Sequence, residues 1–530
     1  MITINEQIVK LLIKMRLKNR ADLLSAKKSL IRQFKINPVS HADLLTAYRL
    51  LLRKKQIKQN RLLEKLLIKR PIRSLSGVAI IAVLTKPYFC PGKCAYCPKE
   101  KNIPKSYLSN EPAVMRAVLC HFHPYQQVAM RLRALRNTGH HTDKIELIIM
   151  GGTWNYLPRQ YQTWFIKQCF ASANGIKQQQ ANKQNLAKLQ KINERAKHRI
   201  IGLTLETRPD YLNPSEIKRM RQLGATRVEI GVQTTDNSIL QKNRRGHDTA
   251  TTIQAIRWLK QTGFKICYHL MPNLPGSTPT KDLSVFKKIF TNPDFCPDMI
   301  KIYPCVVVKG SLLYRWWKQK KYHPYSEQQL INLLIRIKKI VPPYVRINRL
   351  IRDIPSTSIE AGNKISNLRQ VVQQEMKQRG LSCHCIRCRE IKTEKINPHN
   401  LKLITRVYPA SRGKEYFLSY EDVKRDKLAA FLRLRINQQV DPLIIKNFPE
   451  LKNAALIREL HTYGQIVPIG QKNKQATQHL GLGKKLMIKA ELIVRQLGIK
   501  KIAVISGVGV REYYHHLGYH QQGNYQIKNI

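Results

Sequence analysis

The chain has 530 residues, too many for one typical hydrophobic core, so its length predicts two or three domains. Lys and Arg number 94 against 33 Asp and Glu, a formal charge of +61 that a polyanionic partner ordinarily explains, while 43% apolar residues suffice for buried cores. The opening MITINEQIVK has no signal-peptide pattern, no apolar run reaches the length of a membrane span, and no lipidation motif stands out. The expectation is a cytoplasmic, nucleic-acid-facing protein.

Residues 1–75 read as helices, with Leu and Ile recurring every three or four positions in IVKLLIKMRL and LLTAYRLLLRKK. This stretch holds 19 Lys and Arg against 4 Asp and Glu, which predicts a basic helical arm that binds a polyanion; an ordinary solvated helix surface is the alternative. Residues 76–345 alternate short apolar runs with helical stretches. The runs are SGVAIIAVLT, KIELIIMGGT, RIIGLTLETR, RVEIGVQT, KICYHLMPN and MIKIYPCVVV. Six strand–helix units in series predict a parallel βα barrel, complete or incomplete, with its chemistry at the C-terminal strand ends. Polar residues fall there: a cysteine loop after the first run, GGT after the second, ETRPD after the third, Gln233 after the fourth and His269 near the end of the fifth. The polar KQQQANKQNLAKLQKINERAK reads as a surface insertion without chemistry. Residues 346–394 form a linker, and residues 395–530 a smaller α/β unit.

The loop FCPGKCAYCPKE sets Cys90, Cys94 and Cys97 in a CxxxCxxC spacing. Three thiolates can hold three irons of a [4Fe–4S] cluster and leave the fourth open to a cofactor; a closed structural zinc site would want a fourth ligand. SCHCIRCRE supplies a second trio, Cys383, Cys385 and Cys388, which predicts a zinc site completed by Cys305 or by His384. Cys120, Cys169, Cys267 and Cys296 are isolated and read as small apolar residues. QHLGLGKK places Gln478, Gly481 and Gly483, with Leu482 between the glycines, directly before a helix. Glycines at a helix start let backbone N–H groups approach a pyrophosphate.

CxxxCxxC behind the first barrel strand resembles the radical SAM superfamily, in which the open iron binds S-adenosylmethionine (SAM) and cluster reduction yields an adenosyl radical. Gly151, Gly152 and Thr153 resemble that superfamily's SAM-contacting glycine motif, with Thr153 in place of its usual Glu. QHLGLGKK and REYYHHLGY resemble the acetyl-CoA loop and thioester-side tyrosine of GNAT acetyltransferases. The combination, with MGGTW, LTLETRPDY, MPNLPG, YPCVVVKGS, RELHTYG and IAVISGVGVREYYHHLGY, resembles the family of the Elongator catalytic subunit, in its stand-alone prokaryotic form.

The resemblance implies a radical SAM barrel joined to a GNAT-like domain. It also implies a tRNA wobble-uridine enzyme that builds a 5-carboxymethyl group from acetyl-CoA and needs an electron donor but no other Elongator subunits. By position it makes Cys90, Cys94 and Cys97 cluster ligands. Lys144, Glu459, Leu460, His461, Thr462, Gln478, Gly481, Leu482, Gly483 and Tyr513 become acetyl-CoA contacts, with Lys144, Tyr513 and Tyr514 as catalytic candidates. Two other functions fit parts of the pattern. One is a protein lysine N-acetyltransferase with a structural cluster; the other is a non-catalytic tRNA-binding scaffold.

Overall fold

The computed structural model describes residues 3–69, 77–392, 394, 396–464 and 481–530. Four helices open the chain: α1 (Ile4–Lys14), α2 (Arg20–Gln33), α3 (His41–Arg53) and α4 (Arg61–Leu67). Thr3, Asn19, Ser40 and Asn60 cap them, and each first turn holds one acid, Glu6, Asp22, Asp43 or Glu64. Those are the four acids of the segment, so all its negative charge serves helix starts, where it complements the N-terminal dipole. The cations are left with little counter-charge. Leu12, Leu23, Leu44, Tyr48 and Leu51 close a core separate from the main one. The bundle seats beside the start of the second strand, where Arg49 donates to the Arg136 carbonyl at 2.6 Å and His140 meets the Lys69 carbonyl at 3.0 Å.

Seven strands build the first sheet: β1 (Ala79–Leu84), β2 (Lys144–Met150), β3 (Arg199–Thr207), β4 (Arg227–Gln233), β5 (Lys265–Leu270), β6 (Met299–Ile302) and β7 (Arg346–Arg349). All neighbours are parallel and the order is sequential from β1 to β7, so the sheet is an open half-barrel. The six predicted runs are β1 to β6. β7 lies just past the boundary expected at 345; its RINR carries one buried apolar residue, Ile347, and gives no apolar run.

The second sheet is mixed: β8 (Leu401–Pro409), β9 (Gly413–Asp422), β10 (Lys427–Asn437), β11 (Ala455–Thr462), β12 (Lys501–Val504), β13 (His520–Gln522) and β14 (Tyr525–Asn529). Its order is β13-β14-β12-β11-β10-β9-β8, and only β11 and β12 run parallel. They pair over Ala455–Ile457 alone, leaving Arg458–Thr462 of β11 without a strand partner on that side among the described residues.

One continuous core spans both sheets, from Ile81 and Leu205 to Leu432 and Ile457. The seam between them is also ionic. At a bulge of β11, Arg458 is fully buried and donates to both carboxylate oxygens of Asp298 (3.0 and 2.6 Å) and to Glu415. Gly507 presses on β3: a Cβ there would stand 2.0 Å from the Ile201 carbonyl oxygen, so SGVGV needs glycine for close approach. The insertion after the second strand is no loose surface segment. Its Leu189 and Asn193 are buried, and Glu194 pairs with Arg511 of the second unit at 3.2 Å. Among the described residues, no helix is long and apolar enough to cross a membrane.

Candidate active site

A cavity of about 1620 Å³ runs from the cysteine loop, along the inward face of the half-barrel, to the free end of β11 and the start of the helix Leu482–Gln496.

At one end, the loop after β1 brings Cys90, Cys94 and Cys97 to the cavity wall. The loop is tied down by backbone bonds from Ala95 to the Asn243 carbonyl (3.0 Å) and from Leu313 to the Ala95 carbonyl (2.8 Å). Arg245 is buried, anchored on the Gly231 carbonyl at 2.6 Å, and aims Nη1 at Cys94 Sγ from 3.4 Å. A hydrogen bond from Cys97, then Arg245 and Arg208, pull the Cys94 thiol down to about 4 against desolvation. The same shared bond and burial push Cys97 up. Thiolate-stabilising cations around three cavity-facing cysteines suit an iron–sulfur cluster.

Behind the loop, β2 ends in Gly151 and Gly152 with φ of 132° and 100°. A Cβ on Gly151 would lie 2.0 Å from Thr85 Oγ1, so this glycine lets β2 pass β1 and does not face the cavity. Gly152 meets nothing within 4 Å and lines the cavity with Thr153, leaving backbone open to a ligand.

The barrel interior holds a charged set that motif reading missed apart from His269 and Glu206 of ETRPD. Glu229 accepts from His269 Nε2 at 3.0 Å and pairs with Lys301; Arg227 holds Glu146 at 2.6 Å; Tyr107 donates to Glu206 at 2.8 Å. Burial works against the Glu229 charge, but Lys301, then His269 and Arg227, hold it well below the usual carboxylate range. The available signal was charge at alternating, inward positions of otherwise apolar strands.

At the other end, β11 divides the predicted quartet by its two-residue period. Leu460 and Thr462 face the glycine turn: a Cβ on Gly483 would lie 3.8 Å from Leu460 Cδ2, 3.7 Å from Thr462 Oγ1 and 3.1 Å from Tyr513 Oη. Glu459 and His461 face the seam. Glu459 accepts from Arg433 at 2.9 Å, and His461 stacks on Phe431 with ring centres 5.9 Å apart. Burial drives His461 down to about 4, so its ring is neutral at pH 7. Gly481, with φ 67°, opens the helix, and Gly483 leaves room beside Tyr513 for a bound group. Lys144, half-buried at the start of β2, lines the same cavity.

The Leu482 side chain is 4% exposed and packs in the core, so only its backbone is left to face the cavity. Tyr514 reaches the cavity edge but is buried against Tyr519, whereas Tyr513 is half-exposed. Gln478 lies outside the described residues.

The second trio sits at the seam. The Cys383, Cys385 and Cys388 sulfurs all lie within 4.8 Å of one another, the one such group among the described residues. Sulfurs sharing a single tetrahedral zinc stand ~3.8 Å apart, from a Zn–S distance of about 2.3 Å, whereas thiolates on separate irons stand wider. Cys305 does not complete the trio. It is buried beside Cys94, Tyr96 and Tyr322, and burial pushes its thiol up to about 12. His384 is not in the group either, its Nδ1 being paired with Asp426 at 2.9 Å. Cys120, Cys169, Cys267 and Cys296 are buried, as small apolar residues are.

Residues 85–283 match the radical SAM superfamily and residues 297–378 its Radical_SAM C-terminal domain. A protein named tRNA uridine(34) acetyltransferase from Methanocaldococcus jannaschii is 46% identical over 89% of this chain and 88% of its own. One of the same name from Dehalococcoides mccartyi is 45% identical over 87% of this chain and all of its own. Human Elongator complex protein 3 is 38% identical over 87% and 86%. The solved structure of archaeal Methanocaldococcus infernus Elp3, lacking residues 1–46, aligns with a TM-score of 0.74 and 42% identity over 86% of this chain and all of that one. On this identity over nearly its whole length, the chain belongs to the radical SAM family of Elongator complex protein 3 and the tRNA uridine(34) acetyltransferases.

Proposed function

We propose that the protein modifies the wobble uridine of cytoplasmic tRNA, using SAM and acetyl-CoA to build a 5-carboxymethyl group. The observation that carries the reading is the single cavity joining the cysteine loop to the turn of Gly481 and Gly483. Radical generation and acetyl presentation therefore share one chamber instead of two separate pockets. An iron–sulfur cluster with SAM would supply the hydrogen-abstracting radical, and Cys90, Cys94 and Cys97 would hold that cluster.

The chain's own residues fill the remaining roles. Arg245, with Nη1 3.4 Å from Cys94 Sγ, would favour the thiolate that binds iron. Gly152 and Thr153 offer backbone to SAM. The N–H groups at the start of the helix Leu482–Gln496 receive the pyrophosphate of acetyl-CoA, with Thr462 and Tyr513 beside the thioester. The charged interior around Glu229 and Arg227 gives a flipped base polar partners shielded from water. The cationic bundle of α1 to α4 holds tRNA phosphates, and Cys383, Cys385 and Cys388 bind zinc at the seam. The test is anaerobic reconstitution with bulk tRNA, SAM and acetyl-CoA labelled at the methyl carbon. Nucleoside mass spectrometry should find the label in 5-carboxymethyluridine. Label found only in acetyl-lysine would replace this reading with protein acetylation.

A further inference from the structure

The charged set inside the half-barrel holds an imidazole to which the proposed reaction gives no task. His269 and Lys301 are register partners on β5 and β6, and Glu229 of β4 touches both. His269 Nε2 stands 3.0 Å from Glu229 Oε2, and Nδ1 stands 3.7 Å from Glu206 Oε1 on β3. Burial opposes the Glu229 charge, but Lys301 leads the groups that keep it ionised, so its carboxylate can only accept. That contact fixes the ring proton at Nε2, and the neutral imidazole keeps its lone pair at Nδ1. No hydrogen bond from the described residues occupies Nδ1. A separation of 3.7 Å is too long for one, and the other oxygen of Glu206 already accepts from Tyr107 at 2.8 Å.

A proton arriving at Nδ1 would create an imidazolium between two carboxylates, Glu229 and Glu206, with the Tyr303 ring edge-on 5.4 Å away. In formal charge the set opposes three acids, Glu146, Glu206 and Glu229, to two cations, Arg227 and Lys301, so one added proton neutralises it. Arg349, beside Lys301 on β7, is paired with Asp353 and adds no net charge. A buried carboxylate that sets the tautomer, with the opposite nitrogen left to take a proton, is the arrangement of an oriented base. Its place in the cavity is central. Glu229 is two residues from Gly231, whose carbonyl anchors Arg245 beside Cys94. In the other direction Arg227 holds Glu146, two residues along β2 from Lys144 at the acetyl-CoA end. His269, Glu206 and Glu229 all line the cavity, so the imidazole stands between the two ends whose reagents would meet at the uracil.

The chemistry calls for such a base. Joining a carbon radical to C5 of uracil leaves the old hydrogen on C5 and an unpaired electron on C6. Restoring the C5–C6 double bond requires the C5–H bond to break. Its electron pair and the C6 electron make three: two re-form the π bond, and the third leaves to an oxidised iron–sulfur cluster, the one-electron acceptor of the proposed reaction. The hydrogen leaves as a proton. We propose that His269 Nδ1 is the general base that takes this C5 proton, with Glu229 positioning the ring and Glu206 stabilising the imidazolium; the proposal rests on the wobble-uridine reading given above.

The test uses reconstituted full-length protein with bulk tRNA, SAM, dithionite and acetyl-CoA deuterated at the methyl group. His269→Gln keeps an amide donor for Glu229 but has no basic atom. It should cleave SAM and move deuterium into 5′-deoxyadenosine within about twofold of wild type, while 5-carboxymethyluridine falls about a hundredfold or more. In its place should appear a nucleoside two mass units heavier, the 5,6-dihydro form, made when dithionite supplies an electron and water a proton to the stalled C6 radical. Imidazole added to His269→Ala should restore part of the normal product, which a purely structural role would not allow. A readout independent of turnover is 15N NMR of histidine-labelled protein: the ring signals lost in His269→Gln should be those of an imidazole protonated at Nε2 alone. Normal product at the wild-type rate in His269→Gln overturns the assignment, as does a ring protonated at Nδ1 alone. Loss of SAM cleavage and deuterium transfer together with the product gives His269 a structural task and also overturns it. Absence of labelled 5-carboxymethyluridine in the wild type overturns the wobble-uridine reading itself.

Discussion

Two cysteine trios differ in what the fold does with the same side chain. Cys90, Cys94 and Cys97 lie on a loop at a strand end, open to the cavity and braced by Arg245 and Arg208. Cys383, Cys385 and Cys388 are drawn together where the linker passes between the sheets; there the Ile386 N–H bonds the Val345 carbonyl just before β7, and Glu390 pairs with Arg346 at 2.7 Å. The first arrangement keeps space in front of the sulfurs, as a reactive centre needs. The second spends its sulfurs on one another, as a structural ion needs. Spacing in sequence separates them poorly, because CxxxCxxC and CxCxxC are both tight. The surroundings separate them clearly.

The largest effect should come from removing the open trio. Cys90→Ser/Cys94→Ser/Cys97→Ser should abolish iron binding and SAM cleavage while keeping about one zinc per chain, read by elemental analysis and visible absorbance. Cys385→Ser should do the reverse. Loss of zinc with iron retained, and a stability loss of roughly 3–5 kcal/mol by denaturant unfolding, is expected from a site that ties a linker to both sheets. If either variant loses both metals, the division of labour is wrong.

The seam has a second, ionic fastener, which sharpens the contrast between metal and charge. Burial disfavours the Asp298 charge, yet Arg458, then Lys260 and Arg433, hold its carboxyl well below the usual range. A lowered carboxylate pKa contributes stability above the unfolded value near 4, lost as pH falls through the folded one. Wild type should therefore weaken steeply below about pH 4, and Asp298→Asn should flatten that slope. Asp298→Ala should cost about 3–5 kcal/mol at pH 7, since it strands buried arginines. Zinc chelation should leave this acid dependence in place.

Smaller effects test the far end of the cavity and the bundle. Gly483→Val would fill the space beside Tyr513 Oη, where even a Cβ comes to 3.1 Å. It should weaken acetyl-CoA binding about tenfold or more by calorimetry, with iron content and SAM cleavage unchanged. Deleting residues 1–69 should weaken tRNA binding several-fold and flatten its salt dependence, because fewer counterions are released, while the contents of both metals hold. A steep salt slope retained after deletion would move tRNA binding off the bundle.

The sequence by itself determined the parts. Six apolar runs became β1 to β6, the basic arm became helices, and both trios and the glycine turn were visible as local patterns. Each depends on neighbours along the chain, through strand period, helix period or thiol spacing, and such signals survive without tertiary contacts. Tertiary structure decided the joins. β7 hides in RINR because Arg346 meets its partner Glu390 only once the linker has folded against the sheet. Cys305 stays apart from the second trio because chain folding buries it in the cluster of Cys94, Tyr96 and Tyr322. Leu482 turns to the core while Gly483 turns to the cavity, and β11 sends Leu460 and Thr462 one way and Glu459 and His461 the other. The Asp298–Arg458 clamp links residues 160 positions apart. Charges inside apolar strands are costly until partners from distant segments arrive, so their purpose becomes readable only when the two sheets share one core.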